Sequence, residues 1–203
     1  KLYLRLLIAA IWIAAIPLAG KYIILGISGI LILTVSNHFL ILAAFIACMV
    51  IFVFPLFLLG TVTPSLVKYT VDSLDDSGKT VGTLGAFNTI GSILGTFLPT
   101  FVTIPAVGTS VTFLIFSGIL LILSLIYFIS KKARKGICAA AVLLFCICSF
   151  LGFSNSFAFW ETNLLEEDES IYNYLQVKDT GNSVILSTNV LFGVQSRSEE
   201  RRV

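Results

Sequence analysis

Two long stretches of the chain, residues 22–67 and 80–130, contain no Asp, Glu, Lys or Arg. A soluble domain needs charge at short intervals to keep its outer face solvated. A bilayer core about 30 Å thick is instead crossed by roughly 20 mainly apolar residues in a helix. Lipid gives a backbone amide no partner, so an apolar run must close its own hydrogen bonds. Composition agrees: 57% of residues are hydrophobic and 12% are charged, with a mean hydropathy of +1.01. Soluble domains carry about a quarter charged residues.

The expected fold class is mainly α, a polytopic membrane helix bundle of about six spans followed by a short β-hairpin or meander that opens a truncated soluble domain. The spans are expected at residues 2–18, 21–35, 39–67, 80–104, 109–130 and 136–153. The first two also read as one broken or re-entrant unit. Asn37 and His38 interrupt the run before the third, in which Pro55 and Pro64 should kink or end the helix. Residues 68–79, with Asp72, Asp75, Asp76 and Gly78, form a polar stretch, and Pro105 and Gly108 mark the turn after the fourth span.

Lys131, Lys132, Arg134 and Lys135 place four cations beside a span. By the positive-inside rule this loop is cytoplasmic. Apolar spans on both sides exclude a nucleic-acid stripe, as does a net charge of only +2. Alternation then puts Lys21, Lys68 and Lys79 on the same side, with Lys1 and Arg5 opposite. The tail after Ser154 falls outside the cytoplasm of a multi-pass protein of the cell membrane.

Cys48, Cys138, Cys146 and Cys148 all lie in apolar runs without a CxxC pair, and His38 is the single histidine. No metal site and no catalytic residue is expected from such a set. The most informative membrane segment is the fourth. Gly91 and Gly95 share a helix face, with Gly82, Gly85, Thr89, Ser92 and Thr96 beside them. Such a stripe lets helix backbones approach closely, either within the chain or in a helix-mediated homo-oligomer. Asn88 reads as an amide in need of a partner, in an interface or along a transport pathway.

Phe153, Phe157, Phe159 and Trp160 form an aromatic cluster at interface level. Strands are expected at 171–177 and 183–188 around an Asp179-Thr-Gly-Asn182 turn, with a third at 190–195. The organisation is thus a helix bundle at 1–153, an interfacial linker at 154–170, and the start of a β-rich domain at 171–203. A hairpin alone is marginal in water, so a larger domain is expected to follow and the chain to be a fragment.

Two stretches together resemble the membrane-fused spermidine synthase-like proteins, which join transporter-like helices to a polyamine aminopropyltransferase domain. The first is Gly82-Thr-Leu-Gly-Ala-Phe-Asn-Thr-Ile-Gly-Ser-Ile-Leu-Gly-Thr96, followed by Ile104-Pro105 and Gly108. The second is Glu169-Ser-Ile-Tyr-Asn-Tyr-Leu-Gln-Val177 followed by Gly193-Val-Gln-Ser196, similar to the strands that open the synthase domain. The resemblance implies aminopropyl transfer from decarboxylated S-adenosylmethionine to putrescine. It implies a substrate-side role for Tyr172 and Asn173, the latter departing from the usual glutamine, and a nucleoside-donor contact for Gln195. No cofactor is implied in this chain itself; decarboxylated S-adenosylmethionine would be a co-substrate of the full domain. The expected partners are the lipid bilayer, polyamine and a nucleoside-type donor. A transporter half and a structural membrane module are the competing functions. Because the donor is made in the cytoplasm, the resemblance favours a tail inside; the cation loop one helix away favours it outside and is the stronger argument for topology.

Overall fold

The computed structural model describes residues 2–34, 40–71, 74–131, 135–153, 163–170, 172–181, 183–188 and 194–199. Six α-helices precede four strands: α1 (Leu2–Thr34), α2 (Leu40–Gly60), α3 (Val62–Thr70), α4 (Leu74–Leu98), α5 (Ile104–Ser130) and α6 (Lys135–Phe153), then β1 (Leu164–Glu169), β2 (Tyr174–Asp179), β3 (Ser183–Thr188) and β4 (Val194–Glu199). A π-helical turn, Pro99–Thr103, joins α4 to α5.

The expectation of about six spans is corrected. Among the described residues, four continuous stretches are long and apolar enough to cross a membrane: Leu2–Ile30, Ile41–Thr70, Ser77–Ser130 and Lys135–Phe153. The first two expected spans are one helix, α1, with Pro17 inside it. A lysine does not break a helix, and a glycine weakens one by only about 1 kcal/mol relative to alanine. The polar stretch at 68–79 is also largely helical, ending α3 and opening α4.

Helix α1 is the hub and packs against α2, α5 and α6. Leu7 and Ala10 of α1, Leu121 and Phe128 of α5 and Ala141 of α6 form one buried cluster. Ala9, Ala14 and Ala43 are also fully buried. Such small side chains admit close backbone approach and gain dispersion contacts between the helices. Trp12 ties α1 to α2 by donating from Nε1 to the Ile51 carbonyl at 3.0 Å. Ser117 and Ser124, buried in α5, donate back to the carbonyls of Leu114 and Leu120 and leave no orphan hydroxyl.

The packing orders the ends of the bundle. Tyr3 stacks on Tyr127 at 3.8 Å and Arg5 donates to Ser65 at 3.4 Å. The beginning of α1 therefore meets the end of α5 and the beginning of α3, and Arg5 and Lys68 line one pocket. Gly20 and Lys21 lie at the other end, with Pro105, Phe153 and the sheet. This corrects the charge assignment by alternation. With α1 continuous, Arg5 joins Lys68 and Lys131 at one end, and Lys21 moves to the opposite one. The two cations of α1 are about 24 Å apart along its axis.

The sheet is a four-stranded antiparallel meander in the order β1-β2-β3-β4. β3 lies where expected, and Gly181 (φ 81°) supplies the left-handed residue of the β2–β3 turn. Residues 190–193 of the expected third strand lie outside the described residues, and a strand is described at Val194–Glu199. The acidic segment Leu164–Glu169, read as linker, is the strand β1; Glu167, Asp168 and Glu169 pair in register with Gln176, Leu175 and Tyr174.

Candidate functional site

The chain turns sharply at the start of α5. Gly108 has φ 79° and ψ 167°, a non-helical conformation inside the apolar stretch. The hydroxyls of Thr103 and Thr112 approach to 3.2 Å across this elbow. Nine residues of straight helix would separate them by about 13.5 Å. Pro105, at the first turn of α5, needs no backbone donor there.

The elbow forms one wall of a cavity of about 610 Å³, within the range of small-molecule sites. Its floor is apolar, including Ile16, Ile24, Ala47, Ile51 and Phe113. Its opposite wall is the start of the sheet: Glu167, Asp168, Glu169 and Tyr174. Lys21 enters from α1 and is only 5% exposed.

Strand periodicity puts Glu167 and Glu169 on one face of β1, where both are half-buried while Asp168 between them is exposed. One Glu169 oxygen accepts from the Thr109 backbone N–H at 2.7 Å and from the Thr109 hydroxyl. The carboxylate thus caps the helical segment that restarts after Gly108, where helix dipole and free N–H groups favour negative charge. Glu167 accepts from the Tyr174 hydroxyl on the neighbouring strand. The Asp168 carboxylate accepts from the Glu169 N–H at 2.8 Å. The result is an apolar cavity with an anionic wall whose carboxylates are held by hydrogen bonds.

The residues singled out from the sequence lie elsewhere. Tyr172 and Asn173 are not in a strand; they belong to the tight β1–β2 turn, where their N–H groups donate to the Ser170 hydroxyl oxygen at 3.3 and 3.0 Å. Tyr172 is 83% exposed. Gln195 falls within β4, and its side chain lies outside the described residues. Gly82, Gly85, Gly91 and Gly95 have no atom within 4 Å of a would-be Cβ, and Asn88 is exposed. Helix α4 packs against its chain neighbours α3 and the π turn. Thr89, Ser92 and Thr96 of α4 and Thr100 of the π turn donate to the carbonyls of Gly85, Asn88, Ser92 and Thr96. Among the described residues, no group of three or more His, Cys, Asp or Glu could hold a metal ion.

Sequence reasoning passed over Lys21, Glu167 and Glu169. The available signals were a lysine inside an apolar run and acidic residues at the strand spacing of two.

The chain is similar to a probable polyamine aminopropyl transferase of Bifidobacterium longum (strain NCC 2705). The two are 58% identical over 72 residues, which are 36% of this chain and 16% of that protein. No family model matches the chain, and no solved structure matches it.

Proposed function

We propose that these residues form the membrane-embedded portion of a spermidine synthase-like aminopropyltransferase, acting on a polyamine with decarboxylated S-adenosylmethionine as donor. The observation that carries the reading is the 58% identity to a probable polyamine aminopropyl transferase. The match spans 16% of that relative's length, so the transfer chemistry belongs to the proposal. Membrane embedding is supported by the outer face of the helices, where Ile41, Phe57, Phe87 and Phe150 are each more than 60% exposed. Apolar surface of that extent on a soluble protein would drive association.

In this reading the 54-residue stretch Ser77–Ser130 crosses twice, out along α4 and back along α5, with Gly108 at the reversal. Arg5, Lys68 and Lys131 then gather on the cytoplasmic side, and the sheet stands on the opposite face. Membranes from cells carrying the whole polypeptide should transfer a labelled aminopropyl group to putrescine, and membranes from the deletion strain should not. Equal product from both strains overturns the transferase reading. Altered putrescine uptake without transfer would assign the helices to transport instead.

Sidedness is tested separately. Tyr172→Cys, at a position 83% exposed, in a background lacking Cys48, Cys138, Cys146 and Cys148, should react with a membrane-impermeant maleimide in intact cells. Reaction only after permeabilisation would place the sheet in the cytoplasm, on the side where the donor is made.

A further inference from the structure

We propose that the pocket where the start of α1 meets the α2–α3 junction binds a phosphate group, brought by the headgroup of an anionic lipid or by a soluble phosphate. The pocket holds about 500 Å³, within the range of small-molecule sites. Local chemistry opens it. Pro64 has no N–H to give the Gly60 carbonyl, so the helical ladder is interrupted at Thr61 and α3 starts anew at Val62. Gly60 has no side chain to fill the gap, and no atom lies within 4 Å of where its Cβ would be. Helical spacing then sets Thr61, Ser65 and Lys68 on one wall, with Arg5 of α1 on the other.

Arg5 and Lys68 line this pocket and no acidic residue does; neither cation has a carboxylate partner among the described residues. The half-buried Arg5 guanidinium carries five N–H donors and gives one, among the described residues, to the Ser65 hydroxyl oxygen at 3.4 Å. Charge-assisted bonds are usually about 2.7–2.9 Å long, so this contact steers the guanidinium more than it satisfies it. The Thr61 and Ser65 hydroxyls donate to the carbonyls of Leu58 and Thr61 and have no proton left for a ligand. A ligand must therefore bring negative charge and acceptors to a guanidinium and an ammonium together. A carboxylate is filled by the guanidinium fork alone, whereas a phosphate has oxygens left for the ammonium. A second observation is independent of these charges. The remaining wall is apolar, with Phe57 68% exposed, and suits an acyl chain. Tyr3 and Tyr127 stack at this end and Tyr69, 66% exposed, follows Lys68, the aromatic pattern of headgroup level. The lipid source rests on the membrane-embedded reading above; the preference for phosphate does not.

The test uses the whole chain in neutral detergent micelles and native mass spectrometry, which counts bound lipids. One dioctanoyl phosphatidylglycerol should bind at least about tenfold more tightly than dioctanoylglycerol or octanoate, which carry the same acyl chain without phosphate. Arg5→Gln and Lys68→Gln should each weaken that binding by about tenfold. Lys131→Gln, at the same end but outside the pocket, should leave it unchanged. Displacement of the lipid by inorganic phosphate would assign the site to soluble phosphates, and resistance would assign it to lipid. Equal binding of dioctanoylglycerol or octanoate overturns the proposal. So does an equal loss in Lys131→Gln, which would show attraction to net charge alone. If Arg5→Gln fails to fold, Lys68→Gln, at an exposed position, still decides. A chain that remains in solution without detergent would refute membrane embedding, an outcome distinct from loss of the phosphate preference.

Discussion

Replacing Gly108 by alanine isolates the energetics of the elbow. The glycine sits at φ 79°, ψ 167°, a region that is essentially reserved for glycine. Holding a residue with a Cβ there costs about 1–3 kcal/mol. The added methyl itself meets little: the nearest atoms, Cδ and Oε1 of Glu169, would be 3.9 Å away, an ordinary van der Waals contact. The penalty is therefore one of backbone conformation rather than collision. Relief by rotating the adjoining peptide would displace the Thr109 N–H from Glu169 and sacrifice a hydrogen bond to a charged group, itself worth about 1.5–3 kcal/mol. Gly108→Ala should thus lower stability by about 1–3 kcal/mol, a shift of about 5- to 150-fold in the folding equilibrium. Gly91→Ala is the matched control. It lies within α4 with no atom within 4 Å of the new Cβ, so it should stabilise by about 0.5–1 kcal/mol. Reversible unfolding in mixed micelles, followed by Trp12 fluorescence at the α1–α2 contact, measures both. Equal stability of Gly108→Ala and the parent protein would refute the elbow. A Gly91→Ala variant as damaged as Gly108→Ala would show that α4 is closely packed after all.

Three further outcomes follow from individual contacts. The Gln176 amide is fully buried, with neither Nε2 nor Oε1 hydrogen-bonded among the described residues. Gln176→Met should therefore be neutral or stabilising by up to about 2 kcal/mol in the same unfolding measurement; a clear loss would reveal a partner for the amide. Trp12→Phe removes the Nε1 bond to the Ile51 carbonyl and should cost about 0.5–1.5 kcal/mol, read by circular dichroism because the fluorophore is lost. Glu169→Gln should loosen the sheet from α5, seen as faster hydrogen exchange at the Thr109 amide; unchanged exchange would mean that the cap carries no stability.

The sequence discloses those features whose cause is local. Pro105 and Gly108 mark a turn because one lacks a donor and the other admits positive φ. Gly181 marks the β2–β3 turn for the same reason. Features with distant causes were misread. Gly20 and Lys21 suggest a break in α1, yet the helix runs through both, with Lys21 buried at the cavity and Gly20 beside Ile51 of α2. The segment Leu164-Leu-Glu-Glu-Asp-Glu169 has poor strand propensity, and its conformation is set by pairing with β2 and by capping α5. Tyr172 and Asn173 look like strand residues because the apolar and aromatic pattern runs through them; the Ser170 hydroxyl turns the chain there instead. The cavity brings together α1, α2, α5 and β1, and no local pattern in any one of them announces it.

In the membrane-embedded reading proposed above, the elbow also bears on how the helices enter a bilayer. No charged residue lies between Lys79 and Lys131, so the reversal at Gly108 falls near the middle of an unbroken neutral stretch. Each Asp, Lys or Arg at the centre of a membrane helix adds about 2.5–3.5 kcal/mol to insertion. The tip of the α4–α5 hairpin brings no such barrier. The pair can be threaded through as one hairpin, while Lys79 and Lys131 stay together on the side from which insertion began. Synthesis then needs no charged loop to be hauled across for this part of the molecule.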